Sequence, residues 1–197
     1  HLPAFGAWYV EASLDTEQTI AKGAAANVVL SDLTLTGTVL SGGPEKGRSD
    51  YIVIGGKGGW ANDLPKKSYA NDLGVKLSTI LSDAATAVGE TVDLGSRSAE
   101  KVGPAYVRKQ GPAARLLERH APGAWYVDSS GTTKLGRRAS STLSAKVPRV
   151  SPVDHARGTV TLAPETLADL QPGVVVDGLE AVDVIHEISA KAGLRST

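Results

Sequence analysis

The sequence predicts a mainly β protein of the α+β class, with two small antiparallel β-barrel-like domains, a helical linker and an inserted helix-hairpin α+β module. Three observations predict it. Apolar and polar residues alternate from Ala7 to Ile54, as they do in strands that bury one face. From Leu73 onward the apolar residues Leu73, Leu77, Ile80, Leu81, Ala84 and Val88 recur instead at helical spacing. From Ser141 the strand-like alternation returns. These changes of period set the expected boundaries: a first β domain over 1–60, a linker and α+β module over 61–140, and a second β domain over 141–197.

In the first domain the runs AWYVEASL, ANVVLSD, LTLTGTVLS and SDYIVIGG read as strands, separated by the turn formers KG, SD and GGPEKG. Within LTLTGTVL, Leu33, Leu35, Gly37 and Val39 share one face and Thr34, Thr36, Thr38 and Leu40 the other, so the threonine face is expected to be exposed. Closure into a barrel would remove the sheet edges. The stretch Gly55 to Glu90, a glycine run followed by an aromatic pair, a proline and a helix, is then expected to serve as a structural joint. Asn71 or Asp72 is expected to cap the following helix and Gly89 to end it in a left-handed conformation. The polar segment TVDLGSRSAEKVG reads as mobile. A second helix is expected from Pro112 through Ala113, Leu116, Leu117 and His120, stopped by Pro122-Gly123. Trp125 to Val127 and Thr133 to Leu135 flank Ser129-Ser130-Gly131 as a β-hairpin. Further strands are expected in LSAKVPRV, RGTVTLA and GVVVDGLEAVDVIHEIS, where Val182, Val184, His186 and Ile188 alternate.

Two internal similarities stand out. VVLSDLTLTGTVL from Val28 and VVVDGLEAVDVI from Val174 each place an apolar triplet before a tight turn, as two related hairpins would. The pentapeptide GAWYV occurs at Gly6 and again at Gly123, and its differing flanks favour shared local strand chemistry over duplication.

The 197 residues are 41% hydrophobic, with 21 basic and 21 acidic side chains that cancel, so no overall field draws the chain to nucleic acid or to an anionic membrane. Partners are expected to be proteins. The absence of cysteine excludes disulfides and thiolate sites. No apolar run approaches the ~20 residues of a membrane span, and a soluble chain is expected. There is no methionine, which leads us to expect a processed start or a segment before His1.

Candidate chemistry is sparse. GGKGGW lacks the GxxxxGK[ST] spacing of a phosphate loop, since Gly58 follows Lys57 and a proline precedes the helix; its glycines are expected to permit sharp turning and close backbone approach. His120, His155 and His186, with Asp154 and Glu187 adjacent, show no catalytic or metal-ligand spacing, so the expected catalytic, cofactor-binding and metal residues are none, and the chain is expected not to be an enzyme. Trp60, Tyr69, Trp125 and Tyr126 are expected to pack in the core or an interface, because aromatics make up only 5% of the chain and no basic residues interleave them, although they could also stack on sugars or bases. They supply the alternative reading, a carbohydrate-binding module with exposed aromatics. Lys66-Lys67 and Arg137-Arg138 read as solvated turns.

The order of motifs goes further. Gly58-Gly59-Trp60 through Ser68-Tyr69 and Gly74 to Ser78, then Ala113 to Asp128 with Gly131 and Leu135-Gly136, then Leu170 to Gly178, Val182 to His186 and Gly193 to Thr197, resemble the baseplate hub proteins of bacteriophage tails and the related type VI secretion spike-hub proteins. The resemblance implies a structural virion protein in the tail tip or baseplate, assembled in the host cytoplasm. It implies a homotrimeric symmetry adaptor of paired barrels, bound to the tail tube or a distal tail protein and to a central spike. It implies no cofactor, no membrane and no sequence-specific nucleic acid.

Overall fold

The structure is a computed structural model, and it describes residues 1–143, 147–164, 166–176, 178–189 and 193–196. In chain order these form β1 (Leu2–Pro3), β2 (Tyr9–Leu14), β3 (Ala25–Leu30), β4 (Leu33–Glu45), β5 (Arg48–Gly55), β6 (Asp63–Leu64), β7 (Lys67–Ala70), α1 (Leu77–Val88), β8 (Val92–Asp93), β9 (Ala105–Arg108), β10 (Gly111–Pro112), α2 (Ala114–His120), β11 (Trp125–Val127), β12 (Thr133–Leu135), β13 (Ser141–Thr142), β14 (Val174–Val176), β15 (Leu179–Glu180), β16 (Asp183–Val184), β17 (His186–Ser189) and β18 (Gly193–Ser196). The described residues are mainly β with two α-helices, as the alternation requires, and among them the sheets do not close into barrels. Internal contacts group the chain into two units, one of residues 5–27 and 35–137, the other of 1–4, 28–34 and 138–197.

The main sheet runs β2-β5-β4-β3, and of its strands residues 9–14, 25–27 and 35–55 belong to the larger unit. Its inner face buries Leu35, Val39, Tyr51 and Val53, while Thr34 and Thr36 are exposed, as the alternation predicts. Thr38 departs from that pattern. It is buried, and its hydroxyl donates to the Gly56 carbonyl at 2.8 Å, which satisfies the polar group. GGPEKG is also not all turn: β4 runs on to Glu45 through a bulge between Val39 and Ser41, and only Lys46-Gly47 turns.

Helix α1 is the apolar centre of this unit. Leu77, Ile80, Leu81 and Ala84 are fully buried, against the 3-10 turns at Gly59–Ala61 and Gly95–Ala99 and strands β6 and β8. Gly89 ends the helix at φ 76°, where a left-handed residue is needed. The start differs from expectation. The helix begins at Leu77 with Lys76 as its flanking residue, Asn71 Oδ1 instead accepts from Leu73 N in a local turn, and Leu73 is exposed. An Asx turn competes with helix for the same backbone donors, and here it wins. The segment TVDLGSRSAEKVG is likewise ordered. It supplies β8, which pairs in parallel with β12, buries Leu94, and its Glu100 carbonyl accepts from Leu77 N.

Pro112 stands in β10, paired with β6, and α2 begins only at Ala114. The predicted hairpin of β11 and β12 forms in the expected register, Val127 opposite Thr133. The two GAWYV copies lie side by side: Gly6 bridges Tyr126 in parallel, with Gly6 N donating to Trp125 O and Val127 N to Gly6 O. In both copies the tryptophan goes inward.

In the smaller unit β1 pairs with β16, β17 with β18, and β13-β14-β15 form a three-stranded sheet. Leu162, Leu170 and Val174 form its core. Asp32, beside Ser31 at φ 56°, accepts from Leu167 N at 2.8 Å and Ala168 N at 3.2 Å, which holds its carboxyl below the usual range. The stretch VDVIHEIS is strand, in β16 and β17. The expected strand in LSAKVPRV falls partly at 144–146, outside the described residues. The expected pair of similar barrels is not found, because β13 and β14 run parallel, unlike the antiparallel β2, β5 and β4. What corresponds is local: each hairpin leaves two residues between Leu30 and Leu33, and between Val176 and Leu179.

Candidate functional site

The glycine loop holds an anion of its own. Gly59 N donates to Glu90 Oε1 at 2.6 Å, and Lys57 N donates to the same carboxylate at 3.1 and 3.2 Å. Gly56 and Gly58 adopt φ of 74° and 71° to aim these donors, and a Cβ on Gly59 would lie 2.1 Å from the Val88 carbonyl. The loop therefore uses its N–H groups to receive the residue that follows the α1 cap. A phosphate would have to displace the buried Glu90.

The tryptophans fasten the core. Trp60 is 6% exposed and donates from Nε1 to Thr133 Oγ1 at 2.7 Å; Trp125 is 7% exposed and donates to Glu118 Oε1 at 2.7 Å. Trp8, which the sequence reading passed over, is fully buried and donates to Asp128 O. With both indoles enclosed, a sugar-stacking platform built on Trp60 and Trp125 is excluded.

A polar clamp ties the β7–β9 ladder to α1. Asp83 accepts from Tyr69 OH at 2.7 Å and pairs with Arg108 at 2.9 Å and with Lys67, while Arg108, almost fully buried, also donates to Pro65 O. Burial works to raise the Asp83 pKa, but the Lys67 and Tyr69 hydrogen bonds and the charges of Lys67 and Arg108 outweigh it and hold the carboxyl below its usual range. Burial and the Asp83 bond push the Tyr69 hydroxyl up to about 12. One carboxylate thus serves two basic side chains, Lys67 and Arg108. It was not legible in the sequence, because Asp83 and Arg108 lie 25 residues apart with no motif between them.

The histidines are dispersed. His120 bonds Tyr106 OH at 3.0 Å, His155 is exposed in a turn, and His186 lies half-buried in β17, with burial lowering its pKa to about 4. Among the described residues no group of three His, Asp or Glu side chains is arranged to hold a metal ion, and no helix is long and apolar enough to cross a membrane.

What remains is a surface. On the outer face of the main sheet, Tyr9, Glu11 and Ser13 of β2 stand opposite Ile54, Ile52 and Asp50 of β5. Tyr9, Ile52 and the bulge residue Leu40 are exposed, and the far end carries the Arg48–Asp50 pair at 2.9 Å. β2 is an edge strand of the sheet. An apolar patch beside an edge strand is suited to contact with another chain.

No protein-family model matches the chain, and no curated protein matches it. Among solved structures it is similar to the prophage MuSo2 43 kDa tail protein from Shewanella oneidensis, with a TM-score of 0.48 and 17% sequence identity over 72% of this chain and 49% of that one. The chain spans about half the length of that protein.

Proposed function

We propose that the chain is a structural subunit of a phage tail, within the baseplate hub, where it forms a homotrimer that adapts the tail tube to a central spike. The reading rests on the order of motifs in the sequence, and the structural observation that carries it is the outer sheet face. Tyr9, Leu40 and Ile52 are exposed beside edge strand β2, and a second copy is the occupant we assign to them. Strand addition at such an edge supplies main-chain hydrogen bonds, while the apolar side chains select the partner. Since the described residues do not form two similar barrels, the ring we propose is built from contacts between subunits rather than from an internal repeat.

Electron microscopy of purified tail particles labelled with an antibody to this chain tests the assignment. Label at the tail tip is the expected result. Particles that lack the chain, or carry label along the whole tube, would overturn the hub reading.

A further inference from the structure

Beside α2 lies a groove of about 240 Å³ whose lining includes Tyr106, Arg108, Lys109, Gln110, Arg115 and Arg119 and no acidic side chain. We propose that this groove is a binding site for a doubly charged oxyanion of the phosphate class, held by Lys109, Arg115 and Arg119. The inference is independent of the tail reading.

The charge arrangement carries it. Arg108 is paired with Asp83, which it shares with Lys67, but among the described residues no carboxylate lies within ion-pair distance of Lys109, Arg115 or Arg119. Arg115 and Arg119 stand one helical turn apart on the same face of α2, a spacing at which like charges oppose the helix. An anion between them reverses that sign. A single carboxylate would neutralise one of three cations, whereas a phosphate dianion neutralises two and offers enough oxygens for two guanidinium forks.

The guanidinium groups are also positioned. Arg119 lies over the Tyr106 ring, 5.5 Å from its centroid, and Tyr106 is fixed in turn by its bond to His120. Arg115 lies close to the backbone at Gly111, where φ is 140° and a Cβ would come within 3.2 Å of Nη1. Glycine at 111 therefore both permits the turn and leaves room for the guanidinium. Side chains held in this way lose less freedom when they bind.

Calorimetric titration of the full chain with inorganic phosphate, and separately with a nucleoside 5′-monophosphate, tests the site; sodium chloride at matched ionic strength is the control. One saturable site is expected. Arg115→Ala and Arg119→Ala should each weaken binding about tenfold or more, as loss of a charge-assisted hydrogen bond does. Lys46→Ala, in the exposed β4–β5 turn, should leave it unchanged. Equal affinity for the two probes supports the site and assigns it to free phosphate, and tighter binding of the ester supports it and assigns it to a phosphomonoester. Absence of saturable heat, or affinity unchanged in the Arg115/Arg119 double alanine variant with its circular dichroism intact, would overturn the proposal. Arg115→Lys, which keeps the charge and loses the fork, should fall between wild type and Arg115→Ala.

Discussion

Glu90 shows how one side chain can decide what a glycine-rich loop is for. Its carboxylate takes the N–H groups of Lys57 and Gly59, donors that would otherwise be left unmet beside a buried helix end. Glu90→Ala should therefore lower the unfolding free energy by about 1–3 kcal/mol, and Glu90→Gln, which keeps one acceptor oxygen, by less. Urea unfolding measures both, and equal stability in all three proteins would contradict the assignment. His186 makes a second residue-level prediction. Burial depresses its folded-state pKa to about 4, whereas an unfolded histidine titrates near ~6.5. Between those values the unfolded chain binds the extra proton and the folded chain does not, so stability is fully present above about pH 6.5 and declines as pH falls toward 4. The thermal midpoint should drop over that window, and His186→Gln should flatten the drop. An identical pH profile in the variant would contradict the burial argument.

At the scale of elements, α1 is the joint that its spacing announces. Leu81 is fully buried, so Leu81→Ala should cost about 2–5 kcal/mol. Leu73, which the same periodicity would count into the stripe, is 81% exposed, and Leu73→Ala should change stability by less than about 0.5 kcal/mol. Comparable losses in chemical denaturation would show that the helix starts earlier than at Leu77. This contrast also marks what the sequence makes legible. Period reveals α1, its Gly89 terminus, the four strands of the main sheet and the β11–β12 hairpin, because each of these is selected by local spacing and turn chemistry. It does not reveal pairing between distant residues. Val92 and Asp93 looked like loop because a two-residue strand has no period, yet they lie on β12; Pro112 reads as a helix start until Asp63 pairs with it. The Asp83 clamp and the Glu90 cradle are likewise long-range facts. The burial of Trp60 and Trp125, in contrast, follows from a chain poor in aromatics with no basic residues beside them.

At the scale of the whole molecule, the proposed assembly depends on the outer face of the main sheet and on a chain that carries no net charge to keep copies apart. Ile52 is exposed there while its strand neighbours Tyr51 and Val53 are buried, so Ile52→Asp should leave the fold intact and weaken association between copies. Unchanged circular dichroism with a reduced assembled fraction is the expected outcome; an unchanged assembled fraction would remove this face from the interface. Sedimentation velocity of the unmodified chain across a micromolar concentration range tests the proposed homotrimer most directly. A species of three times the 20.3 kDa chain that grows with concentration is expected, and a chain that stays monomeric throughout would contradict the trimer.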